Sequence, residues 1–213
     1  MKPLAECRLY AFVDTLYLHG RALQKVTEQL CDGGADLIQL RAKQSSLTEI
    51  RGMAENVLPI TQAAGVGLVI NDHLSLAQEL RADFCHLGQE DFFGSGCTHV
   101  SQLSNLNHHV RIGLSTHGPV QAQRALAAGA DYLAIGPIYA TDTKPTAKPA
   151  TLNYVRWAAA NVRIPWFAIG GINLQNLEQV IAAGARRICV VSAILKSDDV
   201  VGACRTFKER MQP

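Results

Sequence analysis

Four short runs of this chain gather side chains suited to phosphate and metal: Gln39-Leu40-Arg41-Ala42-Lys43, Asn71-Asp72, Gly88-Gln89-Glu90-Asp91 and Thr141-Asp142-Thr143-Lys144. Each follows a stretch that reads as a buried β-strand. Gln39, Arg41 and Lys43 alternate, so an extended backbone sends all three side chains the same way. Arg supplies a planar fork and Lys a compact point charge, and with an amide donor they would clamp a pyrophosphate. Taken alone, the same run is an ordinary solvated strand end. Asp72 and Asp91 add carboxylates at adjacent strand ends, and proteins usually hold Mg2+ with one or two carboxylates completed by substrate phosphates and water. By itself Asp91 reads as a turn or helix-cap residue. Beside Asp72 and the basic run, it reads as a metal ligand.

Thr141, Thr143 and Lys144 stand on a long, Pro-bearing stretch, the kind of loop that closes over ligands at the top of a barrel. Gly170-Gly171 and Val191-Ser192 would add backbone N–H donors for a phosphate. Gly171 serves equally well as the residue a tight turn requires. Ser115-Thr116-His117 has the wording of a nucleophile and base but lacks flanking elbow glycines and a partner acid. Ser115 is therefore read as a hydrogen-bonding group aimed into a pocket, and His117 as a residue at a helix N-terminus. The other histidines, including His86 and the pair His108-His109, are read as packing or solvated residues, and none has zinc spacing.

Positioning these groups at one place requires a particular succession of elements. Apolar runs at Leu9 to Val13, Leu37 to Leu40, Gly67 to Ile70, Phe84 to Leu87, Arg111 to Leu114, Tyr132 to Ile135, Trp166 to Ile169 and Ile188 to Val191 alternate with amphipathic segments. Their apolar continuity suits a parallel sheet covered by helices. Gly33-Gly34-Ala35-Asp36, Ala128-Gly129-Ala130-Asp131 and Ala183-Gly184-Ala185-Arg186 each close a helix and open a strand, a weak repeat of one βα unit. Eight such units predict a single α/β domain over residues 1–213, a (β/α)8 TIM barrel. An open doubly wound sheet would carry a glycine-rich phosphate loop after its first strand. Here Asp14-Thr15-Leu16-Tyr17 follows instead, and the glycines and Ser192 follow strands seven and eight, where barrels bind phosphate.

Composition agrees: 213 residues, 48% hydrophobic and 18% charged, suffice for one sizeable core. A net charge of +2 with scattered basic residues argues against a nucleic-acid partner and leaves small phosphorylated molecules as the expected ligands. Cys7, Cys31, Cys85, Cys97, Cys189 and Cys204 include no C-x-x-C pair, and several sit in apolar runs, so they are expected to be reduced and packed. The N-terminal residues do not read as a signal peptide, and no apolar run reaches the roughly 18 residues of a membrane span. A cytoplasmic protein without a membrane partner is expected, and the sequence leaves a homo-oligomer open.

Gln39-x-Arg41-x-Lys43, Asn71-Asp72, His86-x-Gly88-Gln89-x-Asp91, Ser115-x-His117, Gly136-Pro137-x-x-x-Thr141-x-Thr143-Lys144, Gly170-Gly171-Ile172 and Val191-Ser192-Ala193-Ile194 follow in order over nearly the whole chain. Together they resemble the thiamine phosphate synthase family. The resemblance implies joining a hydroxymethylpyrimidine diphosphate to a thiazole phosphate with release of pyrophosphate, and a Mg2+ requirement. It implies that Gln39, Leu40, Arg41, Ala42, Lys43, Asn71, Ser115 and Lys144 hold the pyrimidine diphosphate, with Arg41, Lys43, Ser115 and Lys144 taking part in catalysis. Asp72 and Asp91 would hold the metal, and Thr141, Asp142, Thr143, Gly171, Val191 and Ser192 the thiazole phosphate. Two departures stand out. No Gly precedes Leu152 where the next helix starts, and Gln44 stands where an acidic residue often follows the Lys. A related thiazole tautomerase would place an acid-base His just after Gly136, where this chain has Pro137; a non-catalytic phosphate-sensing barrel is the other alternative.

Overall fold

The computed structural model describes residues 1–103, 110–141 and 149–211. Eight parallel strands, β1 (Leu9–Asp14), β2 (Leu37–Arg41), β3 (Gly67–Asn71), β4 (Phe84–Leu87), β5 (Arg111–Thr116), β6 (Tyr132–Ile135), β7 (Trp166–Ile169) and β8 (Ile188–Cys189), form a closed barrel in chain order. β1 pairs with both β2 and β8, which closes the sheet. The principal helices around it are α1 (Leu23–Asp32), α2 (Leu47–Ala63), α3 (Leu74–Glu79), α4 (Gln89–Gly94), α5 (Pro119–Ala127), α6 (Thr151–Asn161), α7 (Leu177–Ala182), α8 (Ser192–Leu195) and α9 (Val200–Arg210). The expected barrel is observed, with several strands one or two residues longer than their apolar runs. The last strand is shorter: the chain leaves the sheet after Val190, whose N–H still reaches Tyr10 O, because Val191 caps α8. Among the described residues no helix is long and apolar enough to cross a membrane.

The Gly-Ala-Asp punctuation has a physical basis at each of its parts. Gly34, Gly129 and Gly184 take positive φ just past a helix end, where an L side chain is disfavoured. The next residue closes the helix by donating to a carbonyl five residues back: Ala35 to Leu30, Ala130 to Ala125 and Ala185 to Val180. The Asp then turns to the start of the preceding strand. Asp36 accepts from Arg8 and Leu9 N–H, Asp131 from Ile112 N–H, and Asp83, after Arg81-Ala82, from Leu68 N–H. Three of the βα units are thereby tied to their neighbours at the lower rim of the barrel, whereas the repeat at Gly184-Ala185 ends in Arg186 instead of Asp.

Asp36 carries most at that rim, since Lys2 and Lys208 also pair with its buried carboxylate. Burial alone would raise its pKa; hydrogen bonds from Lys2, Lys208, Arg8 and Leu9 outweigh that and hold it below its ordinary 3.8. A depressed carboxyl contributes stability that is complete above the unfolded value and is lost as pH falls through the folded one. Asp36→Ala leaves Lys208, itself half-buried, without its counter-charge, and should cost about 3–5 kcal/mol in urea unfolding at neutral pH while flattening the loss of stability below pH 4. A cost under about 1 kcal/mol would show that the cluster is dispensable.

Candidate active site

Alternation along β2 places Gln39 and Arg41 on the inside of the barrel mouth and Leu40 on the outer face, where it is buried, as is the adjoining Ala42. Leu40 and Ala42 could therefore meet a ligand only through their main chain. A cleft at the C-terminal ends of the strands is lined by Gln39, Arg41, Asn71, Ser115, Thr141, Gly171, Val191 and Ser192, which the sequence had singled out. It is also lined by Phe12, His86, His117, Pro137 and Cys189. Lys43, Asp72 and Asp91 do not line the cleft; Asp72 is joined to it through Asn71, and Lys43 through Asp72. Asp142, Thr143 and Lys144 lie outside the described residues.

Both cations of the β2 run are already paired with carboxylates. Arg41 Nη1 donates to Asp14 Oδ2 at 2.6 Å, a contact set up by the register Asp14↔Arg41 between β1 and β2. Asp14 is 1% exposed, and its other oxygen accepts from Leu16 N–H. Lys43 pairs with Asp72, which also accepts from Asn71 Nδ2 at 2.7 Å. Asp72 sits at φ 65°, a left-handed geometry that Asp tolerates better than most residues, and its N–H donates to His86 O. Asp91 occupies the first turn of α4 and folds back over Gly88, where a Cβ would come within 2.7 Å of its Oδ2.

The floor of the cleft departs from the sequence reading. His86 is neither a packing nor a solvated residue: one ring nitrogen lies 3.1 Å from Tyr132 Oη and the other 2.9 Å from Ser115 Oγ. Tyr132 in turn meets Tyr10, whose hydroxyl accepts from Gln39 Nε2. Sequence reasoning missed His86, Tyr10, Tyr132 and Asp14. The tyrosines look like core aromatics, and the signal available for His86 was its place in an otherwise apolar strand beside a cluster of polar strand ends. His117 lies just before α5, as expected, and its Nδ1–H donates to Gly136 O at 2.5 Å. Cys189 also borders the cleft, and burial pushes its thiol well above the ordinary value, so it makes a poor nucleophile.

On the opposite wall, Gly170 and Gly171 both have positive φ, and a Cβ at Gly171 would meet Ala140 O at 2.5 Å. The turn demands glycine there, which bears out the turn role weighed for Gly171, and the same residue lines the cleft. The glycine missing before Leu152 also has a structural counterpart. Thr151 itself stands at φ 63°, a left-handed conformation unfavourable for a β-branched residue, with its Oγ1 accepting from Asn153 N–H at 3.3 Å. That geometry costs an L residue about 1–2 kcal/mol, against roughly 0.5–1 for the extra unfolded freedom of glycine. Thr151→Gly should therefore raise the unfolding free energy by up to about 1.5 kcal/mol and move the urea midpoint upward. A fall would mean that the Thr151 hydroxyl contributes more than its strain removes.

A closed (β/α)8 barrel whose mouth joins paired cations, carboxylates and a glycine-walled recess is an enzyme scaffold for phosphorylated small molecules. The family model described as thiamine monophosphate synthase matches residues 9–194, and the chain belongs to that family. It is 44% identical over 186 residues to a thiamine-phosphate synthase of Thermus thermophilus, covering 87% of each chain. To the thiamine-phosphate synthase of Halalkalibacterium halodurans it is 38% identical over 205 residues, covering 96% of this chain and 95% of the other. Among solved structures, thiamine phosphate pyrophosphorylase from Pyrococcus furiosus superposes with a TM-score of 0.84 at 26% identity over 99% of both chains.

Proposed function

We propose that this chain condenses 4-amino-2-methyl-5-hydroxymethylpyrimidine diphosphate with 4-methyl-5-(2-phosphoethyl)thiazole, giving thiamine phosphate and pyrophosphate. The observation that carries the reading is the convergence of the family's motif residues from β2, β3, β5, β7 and β8 on one cleft, in a chain of that family. Gln39, Asn71 and Ser115 hold the pyrimidine portion and its diphosphate from one wall, with Arg41 and Lys43 at the diphosphate. Thr141, Gly171, Val191 and Ser192 take the thiazole phosphate on the other; by resemblance Asp142 and Thr143 join them, and Lys144 joins the residues at the diphosphate.

The chemistry needs no protein nucleophile. The C–O bond to the diphosphate breaks with its electron pair on the leaving oxygen, leaving a methylene cation stabilised by the electron-rich aminopyrimidine. The thiazole nitrogen then forms the C–N bond with its lone pair. Arg41, Lys43, Lys144 and the Ser115 hydroxyl neutralise charge that grows on the departing pyrophosphate, and the cleft holds the two reacting atoms together. Asp72 and Asp91 suit Mg2+ in their chemistry: hard carboxylate oxygens at adjacent strand ends, two in number, as befits an ion that takes its remaining ligands from phosphate and water. When bound there, the ion supplies further positive charge to the diphosphate oxygens.

Incubation with both substrates and Mg2+ should yield thiamine phosphate and pyrophosphate in equal amounts; no product would overturn the reading. Asp91→Asn should keep the far-ultraviolet circular dichroism of the wild type while needing more Mg2+ for half-maximal rate, and wild-type activity at limiting Mg2+ would remove Asp91 from the metal site. Lys43→Ala should lower the rate with the pyrimidine diphosphate on the order of a hundredfold, as for loss of one preorganised charge-stabilising donor. A change confined to the KM for the thiazole phosphate would contradict the clamp.

A further inference from the structure

Five side chains from five strands form one unbroken hydrogen-bond chain across the barrel. Gln39 Nε2 lies 2.5 Å from Tyr10 Oη, Tyr10 Oη 3.3 Å from Tyr132 Oη, Tyr132 Oη 3.1 Å from His86 Nδ1, and His86 Nε2 2.9 Å from Ser115 Oγ. Gln39, His86 and Ser115 border the cleft, whereas Tyr10 and Tyr132 lie in the barrel interior at 1% and 0% exposure. Burial raises both phenols well above their ordinary pKa, so each keeps its single proton.

Proton counting gives this chain a direction. An amide NH2 only donates, so Tyr10 accepts from Gln39 and sends its own proton to Tyr132. Tyr132 must then donate to His86 Nδ1. A neutral His86 thus carries its proton on Nε2 and donates it to Ser115 Oγ, which leaves the serine proton for the cleft. An imidazolium would reverse the middle of the chain, placing two donors on the Tyr10 oxygen and leaving the Tyr10 proton with no acceptor among the five. Turning the Gln39 amide would reverse the whole chain and consume the serine proton on His86.

We propose that this chain is a polarity relay in which Tyr10 and Tyr132 are positioning residues: they transmit the orientation of the Gln39 amide to Ser115. With one N–H committed to Tyr10, Gln39 keeps its carbonyl oxygen and its second N–H for a ligand, and Ser115 presents a donor. A ring amino group at one end and a diphosphate oxygen at the other satisfy both. A ligand that turned the amide, bringing its carbonyl oxygen to Tyr10, would remove the donor at Ser115. The relay rests on the function proposed above for its substrate but not for its existence.

Long-range 1H–15N correlation spectra of histidine-labelled protein test it without substrate. Wild-type His86 should be a single neutral form with Nε2 protonated and Nδ1 bare. Tyr132→Phe and Tyr10→Phe should each produce a mixture of tautomers, and Tyr132→Phe should lower kcat for thiamine phosphate formation roughly tenfold, equivalent to about 1.4 kcal/mol, with little change in KM. A proton on Nδ1 in the wild type, or the wild-type His86 spectrum retained in both variants, would overturn the relay. If the protein makes no thiamine phosphate yet shows these tautomers, the relay stands and the substrate assignment falls.

Discussion

A closed barrel of eight strands has to fill its own axis, and in this chain the filling is done by side chains that are apolar at one end and polar at the other. Tyr10, Tyr132, Phe84 and Phe167 pack edge to face, with ring centroids 5.3–6.1 Å apart where Tyr10 or Tyr132 meets a neighbour. The two phenol oxygens leave that aromatic layer and enter the layer of Gln39 and His86. Space for this comes from β5: a Cβ at Gly113 would lie 2.0 Å from the Tyr132 ring. The ceiling of the core is thus the floor of the site, and a buried hydroxyl has to be satisfied by cleft residues. A substitution that looks like core packing here is also a change in the cleft.

The opposite rim carries a different load. There Asp36, Asp83 and Asp131 hold the first residues of neighbouring strands, and Asp36 adds two lysines from the ends of the chain. These contacts are far along each strand from the cleft and involve none of the residues that line it. The division follows from parallel topology, which puts all strand starts at one rim and all strand ends at the other. Tolerance to change should therefore differ between the rims: stability is concentrated below and chemistry above.

The barrel was legible because its evidence repeats. Eight apolar runs and three Gly-Ala boundaries are separate statements of the same unit, and β4, β6 and β7 fall where the apolar runs do. Cleft residues at the ends of β2, β3, β5, β7 and β8 were legible because alternation and the common rim converge them. What escaped was whatever depends on pairs distant in sequence. Asp14 looks like a turn residue until register sets it opposite Arg41. Tyr10 and Tyr132 are 122 residues apart, and no local pattern announces that their hydroxyls meet. Thr151 is the inverse case: the missing glycine was visible, but only the backbone shows that threonine adopts the left-handed geometry itself.

The two cation–carboxylate pairs at the mouth differ in how easily they can be parted, and the difference assigns them different work. Arg41 and Asp14 are 13% and 1% exposed at their side chains, so drawing the guanidinium away would leave a desolvated carboxylate, a costly outcome. Lys43 and Asp72 are 49% and 25% exposed, and water can replace either partner at small cost. On the function proposed above, an incoming diphosphate would take Lys43 from Asp72, and the exchange would release an oxygen ligand at the site proposed for the metal. On the same proposal Arg41 would stay with Asp14, which engages Nη1, and would meet phosphate with the remaining N–H groups of its fork. The fixed pair would then set where the diphosphate lies, and the exchangeable pair would couple its arrival to the freeing of Asp72.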